Sequence, residues 1–138
     1  MTPKMTTAVE TRILSLMTTG FPTVPVIMAN QAIPSGVSLY TKFYILASDD
    51  PIPVGLGITA KSRNVGVFQM TIIGPRDVGS GDTGDIAEYM RKALTRATIS
   101  VPTEGTVILK DASVKDMGVK NESYTQIVRC GYRFDLAV

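Results

Sequence analysis

A chain of 138 residues, 44% hydrophobic and 19% charged, can bury one continuous core without help from metals or disulfides, so a single domain is expected. Its 14 basic and 12 acidic residues are scattered, with a net charge of +2 and no basic run, which argues against a sequence-specific nucleic-acid ligand. The absence of His removes the commonest general base and metal ligand, the single Cys130 excludes an intrachain disulfide, and no apolar run approaches the roughly 20 residues of a membrane-spanning helix.

Met1 to Thr6 reads as a frayed leader with no secretion signal, so synthesis in a reducing cytoplasm is expected. Thr7 and Glu10 form a capping box, and Met5, Val9, Ile13, Leu16 and Met17 repeat at helical spacing, which predicts a helix over 7–19 stopped by a left-handed Gly20. Pro22 and Pro25 leave room for only a short edge-type strand over 24–29, followed by a loop to Gly36. Over 37–45, Val37, Leu39, Phe43 and Ile45 alternate with Ser38, Tyr40, Lys42 and Tyr44, the period of a half-buried strand whose outer face carries two tyrosines. Residues 48–64 contain Pro51, Pro53, Gly55 and Gly57 without a period, and predict a long loop of the kind that meets a partner.

The strand over 65–73 sets Phe68, Met70 and Ile72 on one face and Val65, Val67 and Ile73 on the other, so both faces are expected to be largely covered. A glycine-rich loop, 74–84, leads to a helix over 85–97 in which Ile86, Tyr89, Met90, Ala93, Leu94 and Ala97 form one apolar stripe. Two further strands, 106–113 and 126–136, are separated by a polar connection. In the last, Val128, Cys130, Tyr132, Phe134 and Leu136 share one face and Arg129, Arg133 and Asp135 the other, which makes Cys130 a small buried hydrophobe.

The order predicts an α+β fold: a mixed, mostly antiparallel sheet of four to five strands with two helices packed on one face. Gly79 to Gly84 has the G-x-G-x-x-G spacing of a dinucleotide loop, but Pro75 to Val78 separate it from the strand, and Asp82 and Asp85 would repel a pyrophosphate at the helix N-terminus. A small nucleotide-binding domain is therefore the weaker alternative. Neither the Asp82/Asp85 pair nor the Asp111/Asp116 pair, the latter in an expected turn, has a His or Cys companion, so no cofactor, metal or catalysis is expected. Tyr40, Tyr44, Arg129 and Arg133 would make a polar, aromatic and basic sheet face of interface composition.

The central run Gly66-Val67-Phe68-Gln69-Met70-Thr71-Ile72-Ile73-Gly74-Pro75, the glycine loop, the Ile86-Ala87 helix start and the closing strand with Tyr132 and Phe134 resemble the tail terminator and tail completion proteins of long-tailed bacteriophages. Ala29-Asn30 and Ile33-Pro34 look like that family's link after the first strand, although the tryptophan that often precedes the asparagine is absent. The resemblance runs from about residue 7 to 136. It implies a structural virion protein at the head-proximal end of the tail, a hexameric ring that caps the tail tube, stops its polymerisation and offers a surface to head–tail connector proteins. Another neck protein would share these features. The expected interface comprises the outer strand face, with Tyr40, Lys42, Tyr44, Arg129 and Arg133. It also takes in the long loop and its flank, with Asp49, Asp50, Ile52, Val54, Leu56, Ile58, Lys61 and Arg63.

Overall fold

The computed structural model describes residues 2–28, 31–33, 35–48, 52–54, 61–75, 81–120 and 123–137. The chain opens with helix α1, Pro3–Gly20. The Thr2 hydroxyl caps it by accepting from the Met5 amide at 3.2 Å, and Pro3 occupies the first turn, where its missing N–H costs nothing. The expected leader is thus helical, Met5 is fully buried, and Thr7 lies inside the helix rather than at its cap.

Strands β1 (Val26–Ile27), β2 (Tyr40–Ala47), β3 (Ile52–Val54) and β4 (Lys61–Pro75) precede helix α2 (Gly81–Leu94). Strands β5 (Thr98–Val101), β6 (Gly105–Lys120) and β7 (Ser123–Ala137) follow. All seven strands belong to one sheet in the order β1-β2-β4-β7-β6-β5, with β3 also paired to β4; β1 runs parallel to β2 and every other pairing is antiparallel. The mixed, mostly antiparallel sheet is as expected, but its strand count exceeds the expected four to five.

Two strands account for the difference. β3 lies within the expected 48–64 loop, where Ile52, Pro53 and Val54 pair with Arg63, Ser62 and Lys61, so that segment forms the outer end of a long hairpin. β5 is a four-residue strand that fills the gap between α2 and Pro102 by pairing with β6. α2 also begins and ends earlier than the expected 85–97, so Gly81 and Gly84 are helical residues; the chain leaves the helix through Arg96 in the left-handed region, at φ 56°. The polar connection expected between the last strands is instead a continuation of both: β6 and β7 form one hairpin with bulges between Leu109 and Ala112 and between Asp116 and Gly118.

The two helices pack over the sheet face that carries Phe43, Phe68, Met70, Ile72, Val128, Cys130, Tyr132 and Phe134. Phe68 stacks on Tyr132 with ring centroids 4.7 Å apart and meets Phe43 edge-on at 5.8 Å. Gly66 makes this possible, because a Cβ there would lie 2.7 Å from the Tyr132 ring and 2.4 Å from the Leu46 carbonyl oxygen. Gly20 serves a similar purpose between the helices. Its φ is not left-handed, contrary to the expected stop signal; it yields space to the Tyr89 ring, which packs edge-on against Phe21 and donates its hydroxyl to the Leu16 carbonyl at 2.8 Å. Among the described residues no helix is long and apolar enough to cross a membrane.

Candidate interface

Opposite residues in an antiparallel ladder share a face, so the register identifies what projects from the side of the sheet away from the helices. One row runs Tyr44, Gln69, Arg129, Ser113; the next runs Lys42, Thr71, Ile127, Lys115. Toward the other end Leu46, Val67 and Gly131 align, then Val65, Arg133 and Ile108, and finally Ile52, Arg63 and Asp135. None of these residues is buried, and no described element packs over them. Both long hairpins extend this face, β2–β4 toward Lys61 and β6–β7 toward Ser123, at opposite ends of the sheet.

The face mixes apolar and cationic groups. Tyr44, Ile108 and Leu46 are 36%, 40% and 50% exposed. Lys42 comes from β2, Lys61 and Arg63 from β4, Lys110 and Lys115 from β6, and Arg129 and Arg133 from β7; the Lys110 stem lies over Gly131, where an added Cβ would come within 3.3 Å of its Cδ. Asp135 is the sole carboxylate among the described residues of this face. It accepts from Arg63 Nε at 2.8 Å and Nη2 at 3.2 Å, a bidentate pair that holds its carboxyl below the usual range. Arg129 Nε donates to Gln69 Oε1 at 3.0 Å. Arg133 Nε is buried and has no hydrogen-bond partner among the described residues, an unsatisfied donor on an otherwise accessible surface.

Of the sequence-predicted interface residues, Tyr40, Lys42, Tyr44, Ile52, Val54, Lys61, Arg63, Arg129 and Arg133 are thus brought onto one face, although they come from four strands. Asp49, Asp50, Leu56 and Ile58 lie outside the described residues, as do Gly79 and Ser80 of the glycine loop and Ala29, Asn30 and Pro34 of the family-like link. Leu46, Ile108, Lys110 and Lys115 belong to the face but escape sequence reasoning; Lys115 lies beyond the expected 106–113 strand, past a bulge after Leu109 that shifts the alternation of β6.

Off this face, the two carboxylates of β6 have structural partners. Asp111 pairs with Arg96 at 2.7 Å and Asp116 accepts from the Tyr124 hydroxyl and the Gly118 amide. Both carboxyls titrate below their ordinary range because of these hydrogen bonds, and both lie in β6 rather than in a turn. Cys130 is 1% exposed, and burial pushes its thiol pKa up, the opposite of an activated nucleophile. No group of three or more His, Cys, Asp or Glu capable of holding a metal occurs among the described residues. An open groove of about 740 Å³ lies between α1 and β5, lined by Lys4, Thr7, Thr11, Arg12, Ile99 and Pro102 among others.

No family model matches this chain and no curated protein matches its sequence. Solved structures do share its fold. A protein without a descriptive name superposes with a TM-score of 0.75 at 18% identity, over 95% of this chain and 93% of its own. A chain from the virion of a native gene transfer agent particle superposes with a TM-score of 0.59 at 13% identity, over 94% of this chain and 92% of its own.

Proposed function

We propose that this chain is a structural virion protein, specifically a tail terminator that assembles into a six-membered ring, caps the tail tube and presents a joining surface to head–tail connector proteins. The observation that carries the reading is the fold shared, over 94% of this chain, with a component of the gene transfer agent virion. The open sheet face supports it: no described element covers the side of the seven-stranded sheet away from the helices, and Leu46 and Ile108 among its cations give it the composition of an interface. A ring requires heterologous contacts, so each copy must offer two different patches. The two hairpins, which extend the sheet at opposite ends, give the tube protein and the connector separate places to bind.

The reading assigns no chemistry to the chain. Function follows from shape: a closed ring of the tube's symmetry occupies the growing end and offers the next tube subunit no matching surface. The test is mass and location. Light scattering on the concentrated chain and electron microscopy of tail tubes mixed with gold-labelled protein should show self-association in solution and a six-membered ring at one tube end. A chain that stays monomeric and never decorates tube ends overturns the proposal. Rings found instead at the head vertex would favour a different neck protein of the same particle.

A further inference from the structure

We infer that, within the ring proposed above, the open sheet face of one copy docks on the acidic first half of α2 of the next. The inference rests on that ring reading and starts from an uneven division of charge. The open face carries Lys42, Lys61, Arg63, Lys110, Lys115, Arg129 and Arg133 against Asp135 alone, and among the described residues only Arg63 has an ion-pair partner there. On the helix side, α2 exposes Asp82, Asp85 and Glu88 along its first two turns. Glu88 is engaged by Arg91 at 2.6 Å, but Asp82 and Asp85 have no salt bridge among the described residues. Their two full charges outweigh the roughly half positive charge of the helix N-terminus, so this end of α2 is net anionic.

The unsatisfied Arg133 Nε is a second, independent pointer. A guanidinium N–H without an acceptor is disfavoured, and a carboxylate arriving from a neighbour would relieve it. Apolar groups between the cations select the class of partner. Tyr44, Leu46, Val67 and Ile108 sit among them, which suits the amphipathic surface of a folded protein better than a hydrated phosphate backbone. Size is adequate as well: at about 4.8 Å between strands and about 3.4 Å per residue, β2, β4, β7 and β6 present roughly 880 Å², comparable with the roughly 800 Å² per partner of a standard interface.

The two patches lie on opposite layers of the same sheet, so one contact leaves each copy with one patch free, and the association continues from copy to copy. The start of α2 sits near the Gly74 end of the sheet, with the Thr83 methyl against Gly74 and Gly84 beside Gln126, not over the sheet centre. The patches are therefore offset from one another.

Two charge-reversed chains test this. Arg129→Glu with Arg133→Glu makes the sheet face repel α2, and Asp82→Lys with Asp85→Lys makes α2 repel the sheet face. By light scattering at low ionic strength, with folding checked by circular dichroism, each variant alone should associate at least tenfold more weakly than the parent. Their equimolar mixture should recover the parent mass as an alternating assembly. Should either sheet-face substitution impair folding, Lys42→Glu with Lys115→Glu replaces that pair. A parent that associates while both variants associate equally well overturns the docking inference and leaves the ring reading intact; a mixture that fails to recover does the same. A parent that is monomeric throughout overturns the docking inference, and one that also never decorates tube ends overturns the ring reading. Unchanged assembly of the sheet-face variant, combined with loss of salt-sensitive binding to random-sequence duplex DNA, would assign the face to nucleic acid and overturn the inference.

Discussion

The two faces of the central strands differ in what fixes their residues. On the covered face Phe68, Met70 and Ile72 of β4 and Val128, Cys130, Tyr132 and Phe134 of β7 are almost wholly buried beneath the helices. On the open face the described residues leave their neighbours Val67, Gln69, Thr71 and Ile127 half-buried and Arg129 exposed. The same two strands thus carry a complete core on one side and an incomplete one on the other. Folding accounts for the first; the mixture of aliphatic, aromatic and cationic groups on the second matches the composition of protein interfaces.

The sharpest way to break this comparison is to truncate neighbours on opposite faces. Phe68→Ala removes a ring that packs against both Phe43 and Tyr132, and should lower the unfolding free energy by about 3–5 kcal/mol in urea titration. Val67→Ala, one residue away on the open face, should cost no more than about 1 kcal/mol in the monomer. Equal losses would show that the open face is packed in the isolated chain.

Glycines give the same contrast at smaller scale. In Gly66→Ala the new methyl meets the Leu46 carbonyl and the Tyr132 ring, neither free to move, and a loss of about 1–3 kcal/mol is expected in the same titration. In Gly131→Ala it meets only the flexible end of Lys110, so stability should change by less than about 0.5 kcal/mol. A Gly131 variant as unstable as the Gly66 one would place something other than a lysine stem over the open face.

Thiol labelling extends the comparison to accessibility. Cys130 should react with a disulfide reagent only as fast as the chain opens, because burial both shields its sulfur and raises its pKa. In an Arg129→Cys, Cys130→Ala chain the new thiol faces outward and should react promptly in the monomer. Slowing of that reaction on assembly would mark the open face as the contact; prompt reaction in both states would exclude it.

The covered face was legible in the sequence because it obeys simple periods. The alternation Phe68, Met70, Ile72 and the stripe Ile86, Met90, Leu94 each specify a side without reference to anything distant. What escaped depends on long-range pairing. Lys61 to Asn64 has no apolar residue and forms strand because it is held between β3 and the end of β7. β5 offers only four residues of alternation, too few to separate from a turn, and its place is set by β6. At the N-terminus the capping box of Thr7 and Glu10 points to a start one turn too late; the helix begins at Pro3 behind a Thr2 cap, which buries Met5. On the open face Tyr40, Lys42, Tyr44, Arg129 and Arg133 follow the period of two, whereas Lys115 lies past a bulge that no local pattern announces.

The smallest expected effect concerns Arg63–Asp135, the one ion pair among the described residues that bridges β4 and β7 on the open face. Asp135 titrates below its ordinary range chiefly because Arg63 donates to it, with burial opposing and the Arg63, Arg133 and Lys61 charges adding to the shift. A carboxyl whose folded-state pKa is depressed binds its proton less readily folded than unfolded. Its contribution is therefore fully present above the unfolded carboxylate pKa and is lost as pH falls through the depressed folded value. Arg63→Gln should leave a chain nearly as stable as the parent at low pH and slightly less stable at neutral pH, so that the two denaturation curves converge on acidification. Convergence would show that the pair acts as a surface clip between two strands that the core already holds together. Curves that stay parallel at every pH would mean instead that the Arg63 stem contributes through packing alone, and that even this corner of the open face behaves like core.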